Sequence, residues 1–200
     1  QAGATLSADN PLGLSDLAYV SLTRGFGGSD GTSPKGTQAI ALHYSVPVGY
    51  WLYRANASHN TYHQTVDGAY DRYRYSGRSD NLDLGIDRVL LRDNRQILTA
   101  QTSLQRRTSR NHIDDTEVLV QRRAVTSLQL GLSHRLYVGR GVVQSELASR
   151  QGLRGLGSLP APEEEFGEGT SRYRLSTAAL TLQMPWAFES HSLRYLGSLR

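Results

Sequence analysis

Cysteine is absent from this 200-residue chain, which excludes a disulfide framework and thiol chemistry. Lysine is nearly absent too: Lys35 stands alone, and the net charge of +4 rests on arginine. The arginines are scattered rather than gathered on one element with interleaved aromatics, so the basic balance does not point to nucleic acid. No run approaches the ~20 consecutive apolar residues of a membrane-spanning helix. Apolar content is only 38%, low for a soluble domain with one large core. No segment keeps apolar residues at i, i+3, i+4 and i+7 for more than a turn, which removes amphipathic helices from consideration. No signal-peptide pattern occurs in residues 1–200 and Gln1 opens directly into a strand-like pattern, so the chain is expected to be a piece of a longer one.

What is abundant is glycine and tyrosine: 20 glycines and 11 tyrosines, against 3 phenylalanines and 2 tryptophans. That bias favours β-structure. Period-two alternation runs through the apolar residues. Ile40, Leu42, Tyr44 and Val46 alternate with Ala39, Ala41, His43 and Ser45. Leu82, Leu84 and Ile86 alternate with Asn81, Asp83, Gly85 and Asp87. Leu98, Ala100, Thr102 and Leu104, then Leu128, Leu130 and Leu132, then Leu180, Leu182 and Met184 repeat the theme. The chain is predicted to be all-β, with about ten strands starting near residues 1, 16, 37, 51, 79, 96, 121, 142, 172 and 191.

The predicted connections alternate in kind. Short ones fall at Asn10–Asp16, Pro47–Gly49, Arg92–Arg95, Val138–Gly141 and Pro185–Ser190; long polar ones span 27–36, 64–78, 106–120 and 151–171. In a meander this rhythm puts every tight turn at one end of the sheet and every long loop at the other, as in transmembrane antiparallel up-and-down β-barrels. Tyr50, Trp51, Tyr53, Tyr137, Trp186 and Phe188 lie beside the short turns, while Tyr62, Tyr70, Tyr73, Tyr75 and Tyr173 lie towards the long loops. Two such belts suit the two interfaces of a membrane. A soluble β-sandwich explains the alternation but leaves the loop asymmetry and the belts to chance. A propeller would need four short strands per ~45-residue period and a repeating blade signature, and neither occurs.

Four blocks carry a family resemblance: DNPLGLSD (Asp9–Asp16), HYSVPVGYW (His43–Trp51), RYSGRSDNLDLGIDRVLLRD (Arg74–Asp93) and SRNHIDDTEVLVQRR (Ser109–Arg123). In this order they resemble the barrel of two-partner secretion outer-membrane transporters of the haemolysin-activator and contact-dependent-inhibition type. The resemblance implies about ten strands of an expected sixteen-stranded barrel, strands two to eleven. The periplasmic domains, first strand and last strands of that plan would lie outside residues 1–200, and the pore-plugging Val-Arg-Gly-aromatic tip occurs nowhere in the chain. It further implies an ATP-independent pore in the outer membrane of a Gram-negative bacterium. The implied partners are a large unfolded exoprotein with its N-terminal secretion domain, outer-membrane lipid and lipopolysaccharide, and the barrel assembly machinery during biogenesis. The full-length form would be monomeric, with no nucleic acid, no cofactor and no enzymatic reaction. An assembly insertase of the same superfamily, or a small closed barrel acting as passive porin or surface protease, remains the alternative. The isolated chain is expected not to fold alone, since an incomplete barrel leaves open strand edges.

Candidate sites follow from parity. In a barrel the non-apolar rows must face the lumen, because a charge facing lipid at mid-depth costs ~2–4 kcal/mol. The pore-lining candidates are Asn81, Asp83, Asp87, Gln101, Ser103, Gln105, Gln129, Ser133, Arg135, Thr181, Gln183 and Arg194. The crowded stretch RTSRNHIDDTE supplies Arg110, His112, Asp114, Asp115 and Glu117, read as an extracellular loop crest without catalysis or metal. Adjacent Asp114 and Asp115 would point to opposite faces of an extended chain. His59 and His63 on one strand would stand roughly 13 Å apart, too far for one ion, and are expected at the outer rim. Glu163–Glu165 between prolines reads as a solvated loop.

Overall fold

The computed structural model describes residues 2–26, 36–67, 71–114, 116–188 and 191–199. Among them the strands are β1 (Ala2–Asp9), β2 (Leu17–Phe26), β3 (Gly36–Val48), β4 (Trp51–Asp67), β5 (Arg72–Arg92) and β6 (Gln96–Ile113). They continue with the two-residue β7 (Thr116–Glu117), β8 (Arg123–Val138), β9 (Gly141–Leu153), β10 (Arg174–Phe188) and β11 (His191–Leu199). Each long strand pairs antiparallel with its neighbours in sequence, and β7 folds back onto β6. The result is one up-and-down sheet in which, among the described residues, β1 and β11 each have a strand partner on one side only.

The tight turns have local causes. Gly49-Tyr50 and Gly139-Arg140 close two-residue hairpins with φ of +60° and +59° at the glycine, as a II′ turn requires at its first central position. Asp93 instead folds its side chain into the turn, accepting the N–H groups of Arg95 at 2.7 Å and Gln96 at 2.9 Å. In DNPLGLSD, Asn10 Oδ1 accepts the Ser15 N–H at 2.7 Å while Asp16 accepts from Leu12 and Leu14. These turns share one end of the sheet; the connections 114–122 and 154–173 occupy the other.

Two predicted loops turn out to be largely strand. β4 runs on to Asp67 and β5 begins at Arg72 rather than near 79, so the expected loop 64–78 shrinks to four residues. β6 likewise continues through Arg107–Ile113, so Arg110 and His112 lie on a strand instead of a loop. Beyond the apolar band both faces can be wet, so the hydrophobic alternation fades while the backbone ladder continues. Pro185 was expected in a turn but sits in β10, past the last β9 pair at Gln183–Val142, where a single neighbouring strand asks for ladder bonds. The predicted loop 27–36 lies outside the described residues except for Gly36, which opens β3.

Direct pairing carries each face across the sheet. One row runs Leu22–Ile40, Leu42–Ala57–Leu82 and Tyr44–Ala55–Leu84–Leu104–Leu128. It goes on through Leu132–Leu147–Ala178 and Leu136–Val143–Leu182. No second layer covers this row: Leu84 is 46% exposed and Leu132 45%, and the one buried hydrophobic residue among those described is Ala124. In water, each such leucine would forgo about 1.5–3 kcal/mol of burial. A sandwich is thereby excluded, and the row is matched to lipid.

Candidate functional site: the polar face

The opposite face carries a continuous polar wall. Pairing places Asp83 opposite Gln105, Asp87 opposite Gln101, Ser103 opposite Gln129 and Ile97 opposite Arg135. Asn81, Ser133, Thr181 and Gln183 fall on the same face, and the β10–β11 register sets Arg194 opposite Pro185 there as well. The Arg194 side chain is outside the described set. All twelve parity candidates thus share one face.

The wall is held by its own hydrogen bonds. Arg54 reaches Asp87 with Nη2 at 2.7 Å and Nε at 3.1 Å, a two-pronged ion pair. Its path crosses Gly85, where a Cβ would come within 3.0 Å of the guanidinium. A chain of contacts continues sideways. Tyr19 stacks on His43 at 4.7 Å, His43 Nδ1 meets Asn56 Oδ1 at 2.6 Å, and Asn56 donates to Asp83 at 3.2 Å. Asn81 donates to Ser58 at 3.3 Å. On the far side Arg150 grips Gln129 Oε1 at 2.9 and 2.6 Å, and Arg135 donates to Gln144, which donates to Glu146. Arg54, Asn56 and Arg150 were missed by the sequence reading. Their strands alternate as well, but the lipid-side neighbours Ala55, Ala57, Ser149 and Gln151 are too small or too polar to announce an apolar row.

Near the long-loop end a collar of tyrosines and amides lines the same face, which corrects the expected outer belt. Tyr62, Tyr73 and Tyr75 occupy the polar row, not the lipid row, opposite Gly77, Val66 and Gln64. Tyr62 lies across Gly77, whose missing side chain leaves room for the ring, and its hydroxyl donates to Asn111 two strands away at 3.2 Å. Asn111 and Tyr75 both donate to Gln121, at 2.7 and 2.9 Å. At the short-turn end Trp51 and Tyr53 do face lipid, while Tyr137 faces the polar side opposite Val142. Tyr70 and the side chains of Trp186 and Phe188 lie outside the described residues.

The loop candidates are structural clamps. Asp114 turns the chain with φ +52° and exchanges two hydrogen bonds with the Arg74 backbone, at 2.7 and 2.9 Å. Glu117 accepts both prongs of Arg122, at 2.7 and 2.5 Å. Those hydrogen bonds hold the Glu117 carboxyl below its ordinary value against an opposing push from desolvation, and the carboxylate in turn raises Arg122. Asp115 lies outside the described residues. Arg110 and His112 point to the lipid side, opposite Arg78 and Ser76, and His59 is bonded there to Asp80 at 2.6 Å. Glu163, expected to be merely solvated, is ion-paired to Arg123, and Leu159 donates to the Ala124 carbonyl at 2.8 Å. The loop 154–173 is therefore tied to the rim of the sheet.

Comparison with known proteins bears on what such a wall encloses. The model of the family described as haemolysin secretion/activation protein ShlB/FhaC/HecB matches residues 1–200. The outer membrane transporter CdiB-2 of Burkholderia pseudomallei is 30% identical over 196 residues, covering 98% of this chain and 33% of that protein. The hemolysin transporter protein ShlB of Serratia marcescens is 27% identical, covering 90% of this chain and 34% of that one. The solved structure of CdiB from Escherichia coli superposes with a TM-score of 0.83 at 26% identity, over 92% of this chain and 34% of that one. The chain thus spans about a third of the length of the relatives it matches.

Proposed function

The chain belongs to the ShlB/FhaC/HecB family of haemolysin secretion/activation proteins, and from that premise we propose that it forms part of the wall of an outer-membrane pore for two-partner secretion. The whole transporter sits as a monomer in the outer membrane of a Gram-negative bacterium. Its cargo is a large unfolded exoprotein whose N-terminal secretion domain is recognised on the periplasmic side. No ATP and no cofactor take part, and the strands are inserted by the barrel assembly machinery.

The observation that carries this reading is the pairing of an uncovered apolar face with a polar face whose charged groups Arg54, Asp87 and Arg150 are already partnered within the sheet. An extended polypeptide needs hydration for its backbone but must not be trapped. A wall of unpartnered donors and acceptors would offer it a net ~0.5–1.5 kcal/mol at every hydrogen bond. Here Arg54 is engaged by Asp87, Arg150 by Gln129, and Asn56 by both His43 and Asp83. At these groups a passing chain can only exchange one bond for another. The wall wets the cargo and gives it little to hold.

Site-specific photo-cross-linking in the full-length transporter tests this. A photoreactive residue at Gln101 or Gln129 is expected to capture exoprotein stalled in transit, and one at Leu84 or Leu130 is expected to capture none. Equal capture from both faces, or capture of outer-membrane protein precursors instead, would overturn the reading.

A further inference from the structure

On the lipid side of the long-loop end, Arg78 of β5 stands directly opposite Arg110 of β6. Directly opposed like charges destabilise a sheet, so this pair calls for a counter-charge. Arg106 lies on the same row of β6, beside Leu82, and Thr108 lies between the two β6 arginines, opposite Asp80. Among the described side chains of β4, β5 and β6 on this face, the supply of acid is one carboxylate. Asp80 is shared by Arg78 Nε at 3.1 Å, His59 at 2.6 Å and Thr108 at 3.5 Å. Glu117, an acid on the two-residue β7, is ion-paired to Arg122, and Arg110 reaches it only through space, without an ion-pair contact. Among the described residues neither Arg106 nor Arg110 has an ion pair.

We propose that Arg78, Arg106 and Arg110 form a binding site for the phosphate groups of an outer-leaflet glycolipid, lipopolysaccharide with its phosphorylated glucosamine base. Three observations point to that occupant. First, the site faces the membrane and not the pore. It continues the row Ile86, Leu84, Leu82, and Arg106 follows Leu104 on the neighbouring strand. Arg78 stands four residues beyond Leu82, roughly 13 Å along the strand and less in height once the strand tilts. That is headgroup depth for a lipid whose acyl chains lie on the leucines. Second, tyrosines leave this rim to the cations: Tyr62, Tyr73 and Tyr75 all turn to the other face. Third, Arg106 lies against the loop 154–173, where Gly157 comes so close that a Cβ would meet Nη2 at 2.5 Å. Planar guanidinium groups on rigid strands suit the forked hydrogen bonding of phosphate oxygens. This assignment rests on the outer-membrane reading above.

The full-length transporter in neutral detergent is tested for retention of hexa-acylated lipid A carrying both phosphates, by native mass spectrometry. The R78Q/R110Q variant is expected to lose about tenfold in retained lipid, two charge-assisted contacts being removed. Phosphatidylglycerol and inorganic phosphate are expected not to displace the bound lipid. A heat-modifiable band certifies that the variant is folded, and equal retention by the folded variant overturns the site. Should the variant not fold, the wild-type protein decides. Lipid A stripped of its phosphates must bind far more weakly, and equal binding sinks the proposal, as does displacement by inorganic phosphate. The readout is lipid and not secretion, so failure here leaves the cross-linking test of the pore intact.

Discussion

Gly77 and Tyr62 show how one missing side chain organises the long-loop end of the polar face. The ring of Tyr62 occupies the space above Gly77, and its hydroxyl reaches across β5 to Asn111 on β6. A branched side chain at 77 would meet the ring, and overpacking of this kind costs about 1–3 kcal/mol. Gly77→Val is expected to lower the temperature at which the full-length barrel loses its heat-modifiable band. Tyr62→Ala, which empties the space, is expected to return most of that loss in the double variant. If the two substitutions simply add, the ring does not depend on the glycine. Gly85 under Arg54 repeats the device on the wall itself, and there the reward is an ion pair with Asp87.

At the scale of elements, the connection from β6 to β8 is ordered by side chains. Glu117 and Arg122 brace it, and the Val118 N–H donates to the Asn111 carbonyl at 2.9 Å. Because Arg122 keeps the Glu117 carboxyl below its ordinary value, folding of this loop favours the ionised form. The contribution is complete above the ordinary carboxylate range and is lost as pH falls through the lowered value. Hydrogen exchange at Val118 is therefore expected to lose protection in acid, and Glu117→Gln is expected to remove that pH dependence. Unchanged acid sensitivity in the variant would assign the effect elsewhere. The same loop shows why sequence alone ended β6 too soon. Arg107–Ile113 are mostly polar on both faces, so no periodicity marks them as strand, yet Arg78–Arg110 and Gly77–Asn111 pair in unbroken register.

For the whole molecule, the decisive property is that one sheet has two solvents. Leu84→Arg in the full-length protein is expected to reduce barrel insertion, since the charge would cost ~2–4 kcal/mol in the bilayer midplane. Gln101→Arg on the wall is expected to leave insertion unchanged. Membrane fractionation of both variants checks this, and equal defects would mean that both faces are buried alike. The shape of the sheet adds a constraint. The row Tyr44–Ala55–Leu84–Leu104–Leu128 runs on into Gln151 and Arg174, while the leucines continue at Leu132–Leu147 and Leu136–Val143–Leu182, so the apolar band stays level in the membrane only if the strands tilt.

The alternation of residue types by itself determined the class of fold, the order of the long strands and the side on which every parity candidate from Asn81 to Gln183 lies. The reason is that a strand's side chains take opposite faces at every step, and a wall between lipid and water rewards that along its whole apolar band. Tertiary structure alone decided the register, and with it which residues meet. That Arg78 faces Arg110, that Tyr62 turns to the polar face, and that Arg54 finds Asp87 across Gly85 all depend on how strands distant in sequence slide against one another. Parity names a face, but a position along the neighbouring strand is settled only by the turns, the bulge at Val89–Leu91 and the packing of both ladders together.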